Sequence, residues 1–311
     1  MDQERFDAVV RSFETATDRH SNPLGMHYLL VKQGDTVFLH RFGDRRAPSD
    51  VRSISKTVMA LLAGLVIAER GDIDEDTPVW PVLQRVAKLE NRANAGHLER
   101  VKLKHLLNHT IGFDDVLLMR GDIAGIDPTT FVDHIVNSPI VHEPGEHYLY
   151  SNAGYYLLSV FLQEHLEQDL LAYADRALFS RLGIVDYRWE RYGSYLAGAT
   201  RLWLHPHDLL KIGELLLYGG RGLVAQEWVE HLKQETVPTP EVDTPSNPYF
   251  RRRAYANGLW LGGRGVFFGH GTDGQTLAVV PDVDAVVLTT AHQRDVTRLE
   301  ELVDETIAAL H

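Results

Sequence analysis

The 311-residue chain contains no cysteine, which excludes disulfide bonds, a thiol nucleophile and any thiolate-ligated metal centre. Positive charge is also in short supply. With 43 acidic against 31 basic residues the formal charge is −12, which argues against nucleic acid or anionic membrane as a main partner. The one basic cluster, Arg251-Arg252-Arg253, reads as a solvated loop. Long apolar runs are missing too: the longest, Met59 to Ala68, falls well short of the roughly 20 residues that cross a bilayer. The first residues, Met1-Asp2-Gln3-Glu4-Arg5-Phe6, show neither the basic region nor the apolar stretch of a secretory leader, so the default expectation is a cytoplasmic protein. No internal repeat or low-complexity segment is found. What is there is an ordinary globular composition, 44% hydrophobic and 24% charged, at a length that suits one enzyme-sized unit of two lobes.

Hydrophobic periodicity divides the chain into three textures. Residues 3–18 form an amphipathic helix with Phe6, Val9, Val10 and Phe13 on one face, followed by a hairpin of residues 26–32 and 36–41 around Gly34. Residues 53–70 predict a helix that is apolar nearly all round, and therefore buried, with Gly71 as its stop. Helical patterns then dominate, over 103–108, 129–136, 153–165, 170–179 and 206–217. The stretch 236–249 carries Pro238, Pro240, Pro245 and Pro248 and reads as an irregular surface loop. Strand patterns return at 256–261, 266–270, 277–280 and 285–290, an antiparallel meander, before a closing helix over 295–310. The expected class is α+β: residues 1–79 and 236–311 form a sheet lobe flanked by terminal helices, and residues 80–235 a mostly helical lobe.

Three groups of residues carry possible chemistry. In Ser53-Ile54-Ser55-Lys56, a spacing of three places the Ser53 hydroxyl and the Lys56 amine on one side of a buried helix. A serine hydroxyl becomes a nucleophile only when a neighbouring base takes its proton, and a lysine in apolar surroundings loses enough basicity to do so. The alternative, an N-cap serine beside a solvated lysine, conflicts with the apolar character of that helix. Tyr150-Ser151-Asn152 stands at a loop-to-helix junction. Its phenol, held partly ionised by a nearby lysine, can serve as a base, and its amide can hold a carbonyl or the lysine. A similar tripeptide, Tyr255-Ala256-Asn257, starts a strand and is expected to pack. Gly269-His270-Gly271-Thr272-Asp273-Gly274-Gln275 lets backbone approach a ligand closely, and an N–H there can pair with that of Ser53 as an oxyanion hole; by itself it could equally be a hairpin turn.

The order and separation of these groups resemble the three motifs of serine β-lactamases and penicillin-binding proteins. The flanking sequence resembles the branch that holds class C β-lactamases, related esterases and 6-aminohexanoate-dimer hydrolases. Leu106-Leu107-Asn108-His109-Thr110-Ile111-Gly112 is similar to that branch's His-Thr-Ser-Gly segment, and Val279-Val280-Pro281 with Val286-Val287-Leu288-Thr289-Thr290 is similar to its closing hairpin. The resemblance implies a β-lactamase/transpeptidase-like fold, with Ser53, Lys56 and Tyr150 as catalytic residues and Asn152 and His270 as substrate-positioning residues. It also implies the N–H of Asp273 as second oxyanion donor. Two positions depart from the pattern: Ile111 stands where serine is usual, and Thr272 replaces the last glycine of the third motif. His270 in place of the lysine of that motif removes a permanent charge that grips the β-lactam carboxylate.

The expected activity is that of a serine hydrolase or acyltransferase working through an acyl-enzyme on a small ester or amide, with water, an amine or an alcohol as acceptor. The alternatives are a catalytically silent ligand-binding protein of the same fold, or a true β-lactamase or D-alanyl carboxypeptidase. No cofactor and no metal are called for. His105 and His109 have zinc-compatible spacing, but Leu106 occupies the place of the glutamate of zinc proteases. Residues 114–127 and 236–249 are the expected cleft walls.

Overall fold

The computed structural model describes residues 1–234, 239 and 247–311. Its centre is a seven-stranded antiparallel sheet. The strands are β1 (Met26–Gln33), β2 (Thr36–Arg41), β3 (Ala254–Ala256), β4 (Leu259–Leu261), β5 (Phe267–Gly271), β6 (Gln275–Val280) and β7 (Ala285–Ala291), arranged in the order β2-β1-β7-β6-β5-β4-β3. The strands near the centre are apolar along their length rather than alternating, because both faces of the sheet are covered. Leu29, Val31, Ala278 and Val287 face a terminal-helix layer of α1 (Gln3–Thr15) and a last helix. Leu30, Leu277, Val286 and Leu288 face the other core, which holds the long buried helix α2 (Ile54–Arg70).

Helix α3 (Ala153–Leu166) packs on the far side of α2 and carries the helical lobe, so α2 lies between sheet and lobe with Ile54, Val58, Leu61 and Leu62 wholly enclosed. Helix α4 (Pro206–Leu217), within the predicted helical stretch 80–235, packs instead on β6 and β7: a Cβ on Gly213 would sit 2.8 Å from Val286. The closing helix, α5 (Thr297–Ala308), covers the opposite face beside α1. No helix among the described residues is long and apolar enough to cross a membrane.

One expected strand becomes two. The stretch read as a single strand over 256–261 is a tight hairpin, because Asn257 (φ 44°) and Gly258 (φ 95°) both take the left-handed conformation that a two-residue turn demands. That Asn-Gly pair is a turn signal hidden inside an apolar run. Gly258 also lies where a Cβ would meet Ala60, the Lys56 carbonyl and the Tyr155 hydroxyl, each at 3.0 Å. Gly258→Ala therefore combines backbone strain with a clash against α2 and should cost about 2 kcal/mol or more of stability, read as a lowered midpoint in urea. An unchanged midpoint would mean the turn relaxes freely. The proline-rich loop expected over 236–249 lies largely outside the described residues.

Candidate active site

Ser53 stands at the N-cap of α2 but does not cap it, since its hydroxyl bonds no helix N–H. The residue before it, Arg52, is left-handed (φ 52°), and the turn is braced by the Arg52 N–H donating to Asp50 Oδ1 at 2.9 Å. A side chain forced into this region is strained, and here the strain lies directly before the serine.

Lys56, one turn along α2, is 1% exposed and has three partners: Ser53 Oγ at 3.0 Å, Asn152 Oδ1 at 2.8 Å and the Ala199 carbonyl at 3.1 Å. Two of these only accept, whereas a hydroxyl can donate or accept. A neutral amine fits this set completely: its two N–H bonds serve Asn152 and Ala199, and its lone pair faces the Ser53 hydroxyl. Burial agrees, lowering the Lys56 pKa from 10.5 to about 7.

The Tyr150 ring lies 4.8 Å from Lys56 Nζ. Burial pushes its phenol up to about 12, and the neighbouring Ser53 hydroxyl offsets only part of that. Tyr150 is consequently a neutral phenol at physiological pH, not the partly ionised base read from the sequence. The expectation neglected how strongly an enclosed site disfavours a phenolate when the nearest cation is itself losing its charge. His109 packs behind Tyr150 at 4.5 Å between ring centres, with Nδ1 facing the Ser151 N–H at 3.4 Å, and burial holds its pKa well below the ordinary value. Asn152 is anchored by donating from Nδ2 to the Leu118 carbonyl at 2.8 Å. Tyr255, from the rival tripeptide, is buried among aromatic rings, and Asn257 is tied to Asn108 by two bonds at the β3–β4 turn.

The structure thus brings Ser53, Lys56, Tyr150 and Asn152 together. His270 takes a different partner from the one expected. On β5 the residues facing α2 are Gly269 and Gly271, whose Cβ atoms would touch Thr57 and Arg52. Side chains alternate along a strand, so His270 points to the opposite face, where Nε2 lies 3.0 Å from Glu300 of α5. Asp273 differs from its expected role as well: its N–H donates to Gln275 Oε1 at 3.1 Å. Its buried carboxylate pairs with Arg52 at 2.8 Å and Arg120 at 2.8 Å; burial alone would raise its pKa, but these arginines hold it below the ordinary value. Ile111 lies in the core and His105 Nδ1 accepts from the Lys102 N–H, so neither lines the cleft.

The cleft in front of Ser53 is narrow, with a volume of about 70 Å³. Leu118, Met119 and Ile123 of the 114–127 segment form one wall, as expected, and Arg52, Arg120 and Arg201 line the rest. The three arginines went unseen in the sequence, where no spacing links positions 52, 120 and 201, whereas Thr272, read there as a departure from the third motif, is on the cleft wall.

Solved structures reproduce this architecture. A provisionally assigned β-lactamase of Bacteroides dorei is 16% identical with a TM-score of 0.78, over 99% of this chain and 98% of its own. The simvastatin synthase LovD of Aspergillus terreus is 16% identical with a TM-score of 0.75, over 99% and 98%. A penicillin-binding protein of Bacillus halodurans is 16% identical with a TM-score of 0.71, over the full length of both chains. At this identity the likeness establishes the fold alone. A search of curated protein sequences gives no match. The Beta-lactamase family model, however, matches residues 10–310, nearly the whole chain. The chain belongs to the Beta-lactamase family.

Proposed function

We propose that the protein is a serine hydrolase or acyltransferase that forms an acyl-enzyme on Ser53 from a small ester or amide. The observation that carries this reading is the enclosed Lys56 amine, 3.0 Å from the Ser53 hydroxyl and depressed to about 7, a base set for work at neutral pH. Ser53 Oγ attacks the carbonyl as its proton passes to Lys56 Nζ. Tyr150, a neutral phenol, gives its proton to the leaving oxygen or nitrogen and recovers one from the Lys56 ammonium, so the proton travels from nucleophile to leaving group. Asn152 and the Ala199 carbonyl steady that ammonium. The oxyanion is received by the N–H groups of Ser53 and Thr272, neither of which has a protein acceptor among the described residues. Water, an amine or an alcohol then resolves the acyl-enzyme.

Esters and neutral amides suit this cleft better than β-lactams. No side-chain cation of β5 faces Ser53, and the cleft arginines are already paired, Arg52 with Asp50 and Asp273, Arg120 with Asp273, and Arg201 with Glu190 at 3.8 Å. The test is intact-mass measurement after incubation with a panel of esters, amides and β-lactams, with the adduct mapped by peptide. Acylation of the peptide containing Ser53 is expected, and an adduct on another residue, or none with any donor, removes the proposal.

The pH profile follows from the same two groups. Neutral Lys56 is the proton acceptor, so the acylation rate should climb about tenfold per pH unit on the acid side, pass its midpoint near pH 7 and then level off. Tyr150 stays protonated up to about 12, so no descending limb is expected below pH 10, roughly where proteins begin to fail. Single-turnover acylation from pH 5.5 to about 10 measures this, and a flat profile would exclude Lys56 as the base.

A further inference from the structure

Away from the cleft, Asp114, His142 and His147 bring one ligand atom each to within 4.8 Å of one another. We infer that these three side chains form a binding site for a divalent transition-metal ion of the zinc class. Two imidazoles and a carboxylate, with water completing the shell, are a donor set that zinc-class ions accept. The three come from two segments, residues 109–118 and 140–150, which contain no lysine or arginine of their own and which carry Asp115 and Glu146 besides Asp114, while Glu143 is taken up by Arg100 at 2.9 Å.

The backbone beneath the site is held in place before any ion arrives. The N–H groups of Val141 and His142 both donate to the Gly112 carbonyl, at 3.0 and 3.1 Å, and Phe113 bridges to Ile140. Gly112 (φ 108°) leaves no room between the segments, since a Cβ there would lie 2.2 Å from the His142 carbonyl oxygen. His147 is returned to the site by the turn at Gly145 (φ 98°), whose N–H donates to Thr110 at 2.8 Å, and by Leu149 donating to His109 at 2.9 Å. The two imidazoles stack with centres 4.1 Å apart, and His142 Nε2 is 3.4 Å from Asp114 Oδ1.

An ion here would staple together two segments whose ends lead into the cleft: Tyr150 follows His147 by three residues, and Leu117 and Leu118 follow Asp114 by three and four. The test uses the untagged full-length chain, stripped of metal with chelator and titrated with Co²⁺, with Zn²⁺ as competitor. One equivalent of Co²⁺ should develop a visible d–d band that Zn²⁺ displaces, and Zn²⁺ should raise the thermal unfolding midpoint. His142→Ala and His147→Ala should each weaken Co²⁺ binding more than about 100-fold, since loss of mere outer-shell partners already costs 10–100-fold. Both residues are partly exposed, so the variants should fold, which their melting curves check directly. The inference fails if the parent chain shows neither band nor shift, or if either histidine variant binds as the parent does.

Discussion

Ser53→Ala yields a folded protein that forms no acyl adduct and turns over esters at least about 10⁴-fold more slowly than the parent chain. Folding should survive because the Ser53 hydroxyl caps no helix N–H. Its removal leaves Lys56 with its two acceptors, Asn152 Oδ1 and the Ala199 carbonyl, so no buried N–H is stranded by the change. The loss is therefore chemical rather than structural. Alanine retains the backbone N–H and so keeps that oxyanion donor, but with no oxygen to attack, binding and polarisation alone remain. A time course of intact mass, run beside a thermal melt on the same sample, separates the two effects. An adduct that forms at the parent rate would move the nucleophile to another residue.

Lys56→Met should slow acylation by about 10³-fold or more while keeping nearly the same volume in the core. A second, independent signature lies in the stability of the two proteins. An unfolded lysine keeps its ordinary pKa of 10.5 whereas folded Lys56 sits at about 7, so between those pH values the unfolded chain binds the extra proton. The cost of burying Lys56 is thus fully present below about pH 7 and fades as pH rises toward 10.5. Methionine has no such dependence. Parent stability minus variant stability should accordingly be flat below pH 7 and increase, by an amount on the order of several kcal/mol, across that window. The methionine variant also leaves Asn152 Oδ1 and the Ala199 carbonyl without an N–H donor, a penalty that shifts the whole curve without tilting it. Urea unfolding of both proteins at several pH values reads the slope. A level difference throughout would mean that Lys56 stays charged in the folded state, and acylation by the variant within tenfold of the parent would mean it is not the base.

Much of the framework was legible before any coordinates. Helix α2 follows from apolar residues at three and four with Gly71 as stop, and the observed element, Ile54–Arg70 with Gly71 left-handed, matches that reading closely. The β1–β2 hairpin and helix α4 also follow from local pattern. The Asn257-Gly258 turn was present in the sequence but masked by apolar residues on both sides, so a hairpin was read as one strand. His270 was misplaced for a different reason. Cation-capable chemistry beside glycines says nothing of which face a strand presents, and a shift of one residue moves every side chain to the other side of the sheet.

The amino-acid sequence by itself determined that Ser53 and Lys56 stand one helical turn apart in an apolar helix, because that relation is set by local geometry alone. It also carried the family, through the order and spacing of its motifs. Only the tertiary structure decided which distant groups join them: Tyr150 and Asn152 from the start of α3, and Ala199 and Thr272 from other parts of the chain. The protonation states were decided there too, since the depressed amine and the neutral phenol both arise from removal of water, which depends on the packing of segments far apart in the chain.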